Sequence, residues 1–74
     1  MDKKVQQYLL ASLSKKDVAI IQMVANEKSS VEIGKELGLS PRTIETMTYQ
    51  LRKKFEFRSS IGLVVLFFRN KLIK

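Results

Sequence analysis

Five consecutive residues, Leu37-Gly38-Leu39-Ser40-Pro41, constrain this chain more than any others. Glycine suits the left-handed backbone that closes a helix. Ser followed by Pro opens one. The hydroxyl caps it, and proline at the first helical position lacks an N–H that would have had no partner there. One helix must therefore end and another begin within three residues. Upstream, Ser29-Ser30-Val31-Glu32 is a start signal, with Ser29 as N-cap and Glu32 reaching back to it. That helix covers Ser30–Leu37, with Ile33 and Leu37 inward. Downstream, Ile44, Met47, Leu51 and Phe55 recur at steps of three and four, which predicts a helix from Pro41 to about Lys54.

The remaining segments read the same way. Val5, Tyr8 and Leu9 suggest a short leading helix over Lys3 to Ala11. Ser14 with Asp17 resembles a capping box. It opens a helix with Val18, Ile21, Val24 and Ala25 on one face, ending near Asn26 or Lys28. After a short connection, Glu56-Phe57-Arg58, Ser59 or Ser60 caps a last helix from Ile61 to about Arg69. No strand alternation, repeat or low-complexity stretch is present. The fold class is therefore all-α: a small four-helix bundle containing a helix-turn-helix (residues 13–74), preceded by an N-terminal segment (1–12) that can add a short helix.

The last helix is apolar nearly all round. Ile61, Val64, Val65 and Phe68 are expected to seal the core, which leaves Leu63, Leu66 and Phe67 outside. A helix apolar on every side should not face water in a chain of 74 residues. Those three residues are thus expected to form a homodimer seam. A compatible reading folds the N-terminal segment, Val5 and Leu9 among others, over them. The tail Asn70–Lys74 can extend this helix.

Composition narrows the chemistry. The chain has no His and no Cys, so neither an ordinary zinc site nor a Ser-His-Asp triad can be built. No catalytic residue, metal or cofactor is expected. The net charge is +7, which calls for a polyanionic partner. Residues 38–74 hold eight bases and two acids, whereas residues 1–37 hold six bases and five acids. A membrane surface is the weaker choice of partner, because the bases and the apolar run lie on different helices. That run, Leu63 to Phe68, is too short to cross a bilayer. No export signal is visible, which fits a cytoplasmic protein.

The outward face of Pro41–Lys54 carries Arg42, Glu45, Thr46, Tyr49, Arg52 and Lys53. A helix-turn-helix places its second helix in the major groove of DNA. Glu45, Thr46 and Tyr49 lie mid-arc, where base edges would be. Arg42 lies near the helix start, whose dipole favours phosphate. Arg52, Lys53 and Lys54 continue the basic stripe, although Lys54 stands nearest the inner side.

An ordered set of residues also resembles the LuxR/GerE-type DNA-binding domain. The set is Leu13-Ser14-Lys15-Lys16-Asp17, Ile20-Ile21, Ala25, Ser29, Glu32-Ile33-Gly34, Leu37, Leu39-Ser40, Thr43-Ile44 and Lys54-Phe55. It departs from the family pattern at Ala19, Asn26-Glu27-Lys28, Val31 and Met47. The resemblance implies a bacterial transcription regulator whose third helix reads the major groove and whose fourth pairs two subunits. It also implies contact with RNA polymerase and imperfect palindromes as targets. By position it assigns Arg42 and Thr43 to phosphates, with Ser29 and Ser30 doing the same at the scaffold helix. Glu45, Thr46 and Tyr49 fall on base-facing places. The rival expectation is a protein-interaction module that uses the same fold to dock on RNA polymerase or another regulator.

Overall fold

The computed structural model describes residues 3–74; Met1 and Asp2 of the N-terminal segment lie outside the described residues. Five helices follow one another: α1 (Lys3–Ser12), α2 (Lys15–Ala25), α3 (Ser30–Leu37), α4 (Pro41–Lys54) and α5 (Ser60–Arg69). Among the described residues there is no strand, and no helix is long and apolar enough to cross a membrane.

Serine hydroxyls start the three middle helices. Asp17 N–H donates to Ser14 Oγ at 3.1 Å, and Ser14 N–H donates back to the Asp17 carboxylate at 3.0 Å. The same reciprocal pair joins Ser29 and Glu32, at 3.2 and 2.9 Å. At α4, Thr43 N–H donates to Ser40 Oγ at 3.1 Å, with Pro41 at the first helical position. Each cap satisfies a main-chain donor that the helix cannot and is worth about 1 kcal/mol. Ser59 opens α5 without a side-chain hydrogen bond.

Gly38 closes α3 at φ 71°, in the left-handed region. Leu39 N–H then donates to the Gly34 carbonyl at 2.8 Å. The turn folds back so tightly that a Cβ on Gly34 would lie 2.4 Å from the Leu39 carbonyl oxygen. Glycine at position 34 thus permits the close approach of α3 to the start of α4.

The interior has two parts. Ile20, Ile33 and Ile44 form one, with Met23, Val24, Leu37, Leu39 and Met47 around them. This part fixes α3 and the first half of α4 on α2. Leu9, Ile21, Leu51, Leu63, Phe67 and Ile73 form the other, which joins α1, α5 and the tail. Phe55 meets Phe67 edge to face, ring centroids 6.2 Å apart. Burying each such side chain stabilises the fold by about 1.5–3 kcal/mol.

The rotation of α5 corrects the expectation drawn for it. Leu63 and Phe67 are 2% and 0% exposed and belong to the subunit's own core, and Leu66 is half-buried against it. Leu63 and Phe67 therefore have no surface to offer a second subunit. Ile61, Val65 and Phe68, expected inside, are 73%, 41% and 61% exposed. Two features set this rotation. Gly62 faces the Phe57 ring, where a Cβ would lie 2.4 Å away. Leu9 of α1 and Ile73 of the tail pack in the same cluster as Leu63 and Phe67.

Nor does the tail extend α5. Asn70 caps it, and Lys71 at φ 58° reverses the chain. Leu72 N–H returns to the Phe67 carbonyl at 2.9 Å. Lys74 N–H donates to Gln22 Oε1 at 2.7 Å, and Gln22 Nε2 donates to the Lys74 carbonyl at 3.0 Å. Asn70, 6% exposed, donates from Nδ2 to the Leu66 carbonyl and accepts at its own carbonyl from Gln6 of α1.

Candidate nucleic-acid interface

Helix α4 turns Ile44 and Leu51 inward and lays Met47 and Thr48 along the margin. The Thr48 hydroxyl donates to the Ile44 carbonyl at 2.8 Å, a bond within the helix that commits its proton. On the opposite side, Arg42, Thr46, Tyr49 and Lys53 follow at steps of four, three and four, and all are exposed. That spacing puts them in one line along the helix. At 1.5 Å per residue the line is about 16 Å long, the rise of four or five base pairs at about 3.4 Å each.

Two side chains stand beside this line, toward the start of α3. Glu45 is exposed and has neither an ion pair nor a hydrogen bond among the described residues. Arg52 is half-buried, and its Nη1 donates to the Arg58 carbonyl at 2.8 Å. The guanidinium carbon also lies 5.6 Å from the centre of the Tyr49 ring, and Lys53 Nζ lies 6.0 Å from it. Both distances are within cation–π range. The ring, 51% exposed, is therefore held by the two cations that follow it on the helix.

The chain thus brings Arg42, Glu45, Thr46, Tyr49 and Lys53 onto one exposed surface. Arg52 joins that surface through its contact with Tyr49. Ser29, Ser30, Glu45 and Arg52 line a shallow cleft of about 400 Å³, to which Lys28 and Ser60 also contribute. The Ser29 hydroxyl already accepts from Glu32 N–H, and Thr43 Oγ1 is 2.8 Å from Ser40 Oγ. These hydroxyls have structural work before any ligand arrives. Lys54 is turned away, its Nζ donating to the Ser12 carbonyl at 2.6 Å. That bond fastens the end of α4 to the end of α1.

Lys28, Thr48 and Ser60 are the polar cleft residues that sequence reasoning missed. Ser60 reads only as a helix cap, and Lys28 only as loop charge. Lys28 forms an exposed ion pair with Glu36 at 3.0 Å, of a kind worth under about 1 kcal/mol. Nearby, the Ser29 main-chain N–H and then the Ser29 hydroxyl hold the Glu32 carboxyl below the ordinary glutamate range. Glu32 therefore stays anionic at the N-terminus of α3, where its charge suits the helix dipole.

Residues 11–67 match the family described as bacterial regulatory proteins, luxR family. The response regulator GacA of Pseudomonas aeruginosa is 32% identical over 62 residues, which is 84% of this chain and 29% of that protein. The chain therefore spans less than a third of the length of that curated relative. No solved structure matches the chain significantly.

Proposed function

The chain belongs to the luxR family of bacterial regulatory proteins, a family of DNA-binding transcription regulators and not of enzymes, and from that premise we propose that it binds double-stranded DNA in a sequence-specific way. Helix α4 lies in the major groove. The line Arg42-Thr46-Tyr49-Lys53 meets the duplex, with Ser29, Ser30 and Thr43 near the phosphate backbone at the helix starts. The carrying observation is that line itself. It is exposed along its length, basic at both ends, and backed by the buried Ile44 and Leu51, which fix its orientation. Phosphate contacts from Arg42 and Lys53 supply affinity, and Thr46 and Tyr49 supply preference.

The regulator works as a homodimer in the cytoplasm. Its seam is the exposed α5 stripe Ile61-Val65-Phe68, at the helical steps of four and three. Two such subunits read half-sites about one helical turn apart.

The test is retention of labelled duplex by the whole chain across a salt series. DNA binding weakens steeply from about 50 to 200 mM salt. The rival reading is an apolar dock on RNA polymerase or another regulator. It draws on Val31, 50% exposed at the start of α3, and predicts no such salt dependence and no duplex retention.

A further inference from the structure

The reading face carries one feature that affinity for DNA does not explain. Glu45 is the only acid on α4, and it stands among Arg42, Arg52 and Lys53. A carboxylate there repels phosphate. Arg42, three residues before it, does not neutralise it, and Arg52 is drawn to the Arg58 carbonyl instead. Both carboxylate oxygens are thus left as open acceptors, the only anionic ones on the outer face of α4.

Glu45 also forms one wall of a shallow depression of about 290 Å³ in the outer face of α4, shared with Arg42, Thr46 and Tyr49. Its other walls are Arg42, Thr46, which carries a methyl group, and Tyr49, which carries an aromatic ring. The ring is flanked by Arg52 at 5.6 Å and Lys53 at 6.0 Å. An acceptor beside an apolar wall has a specific complement in the major groove. Among the bases, only cytosine and adenine present an amino donor there, and only thymine presents a methyl group. A carboxylate accepts from the cytosine N4 amino group with nothing left over, whereas the adenine edge adds an N7 acceptor that a carboxylate repels.

We propose that this depression reads a cytosine next to a thymine, the cytosine amino group donating to Glu45 and the thymine methyl seating against Thr46 and Tyr49. The inference rests on the DNA-binding reading above and adds which base chemistry the site takes. It also gives Glu45 a role: the acid reduces attraction to every duplex and restores it for those carrying the amino group at the right place.

The whole chain is used to select duplexes from a random pool, and the recovered site is rebuilt with single changes. One cytosine is expected at a fixed position of each half-site. Exchanging it for adenine, in its pair, is expected to weaken wild-type binding by about five- to tenfold, the low end of base discrimination. Glu45→Gln is expected to remove that preference, because glutamine pairs with the adenine edge, while its binding to random duplex is equal or tighter. Deoxyuridine in place of the neighbouring thymine deletes only the methyl group and is expected to weaken wild type more than Tyr49→Ala. Selected sites without the cytosine, or a Glu45→Gln chain with the wild-type preference, overturn the inference while leaving DNA binding intact. Retention of random duplex without any enrichment overturns the inference together with the sequence-specific part of the DNA-binding reading, leaving non-specific DNA binding. If no duplex is retained at all, the DNA-binding reading itself falls, and this inference with it.

Discussion

The Arg52 guanidinium donates to the main-chain carbonyl of Arg58 at 2.8 Å, which ties the last turn of α4 to the connection leading into α5. The same group lies 5.6 Å from the Tyr49 ring centre. Arg52 thus braces the reading face before any DNA is present, and it differs from Lys53, whose ammonium makes no such tie.

Arg52 and Lys53 are therefore expected to behave differently when removed. Lys53→Ala weakens binding to all duplexes and lowers the slope of log affinity against log salt by about one. Arg52→Ala changes that slope less. It costs about 1 kcal/mol of stability through the lost hydrogen bond and blunts sequence preference through the released Tyr49 ring. Salt titrations of the two variants, with denaturant melts, check this; equal slope changes would make Arg52 an ordinary phosphate ligand.

Thr46→Ala and Tyr49→Ala are expected to alter preference among duplexes more than affinity for random DNA. Base-edge contacts carry discrimination of about 1–3 kcal/mol each. The measurement is a pair of affinities, one on a selected duplex and one on a scrambled duplex of the same length. Parallel losses on both would remove these residues from the base-reading role.

At α5 the two sides of one helix are expected to give opposite outcomes. Val65→Glu places a charge on the exposed stripe and yields a folded chain of halved solution mass with weaker binding to a two-half-site duplex. Phe67→Glu places it at a position 0% exposed and costs more than about 3 kcal/mol, enough to unfold a domain this small. Circular dichroism and sedimentation separate the cases. A Val65→Glu chain of unchanged mass would show that the stripe is not the seam.

Gly34→Ala is expected to destabilise the fold by about 1–3 kcal/mol. Its methyl group would sit 2.4 Å from the Leu39 carbonyl, and main chain yields less readily than a side chain. Denaturant melts give the cost. An unchanged midpoint would mean that α3 and α4 can part without penalty.

The Glu32 cap makes an acid-side contribution to stability. Its folded carboxyl titrates below the ordinary range because the Ser29 main-chain N–H, and then the Ser29 hydroxyl, hold the anion. The contribution is complete above the unfolded value, about 4.3, and is lost as pH falls through the lower folded value. Glu32→Gln keeps a capping acceptor but removes the charge. Wild type should therefore melt higher than this variant at pH 7 and converge with it in acid. A gap that persists or widens in acid would assign the effect elsewhere.

Much of the fold was legible in the chain. The middle serine start signals are local: at Ser14 and Ser29 a hydroxyl, its helix and the acid three residues on declare themselves within four positions, and at Ser40 the proline that follows does so. The Ser14–Asp17 and Ser29–Glu32 boxes formed as read, as did the Gly38 turn. The rotation of α5 was only half legible: the alternative that folds Leu9 over Leu63 and Phe67 was open in the sequence and is the one the structure adopts, but residues apolar on every side carry no phase to choose it over an outward seam. That phase came from distant partners: Phe57 against Gly62, and Leu9 and Ile73 against Leu63 and Phe67. The tail's reversal had no warning either, since Lys71 adopts a backbone that usually belongs to glycine. On the reading face, the outward arc followed from spacing alone. The tie of Arg52 could not be foreseen, because its acceptor is a main-chain oxygen, which no side-chain pattern announces.

The divided interior has a consequence for how such a domain diversifies. Ile20 and Ile21 are neighbours on α2, yet each serves a different half. Apart from α2, only α4 reaches both, through Ile44 on one side and Leu51 on the other. Drift among the side chains that hold α1, α5 and the tail together therefore reaches the three-isoleucine seat beneath the turn only through α2 and α4. A lineage could exchange one companion for another at the far end and keep its target. Equally, it could retarget while keeping its companion.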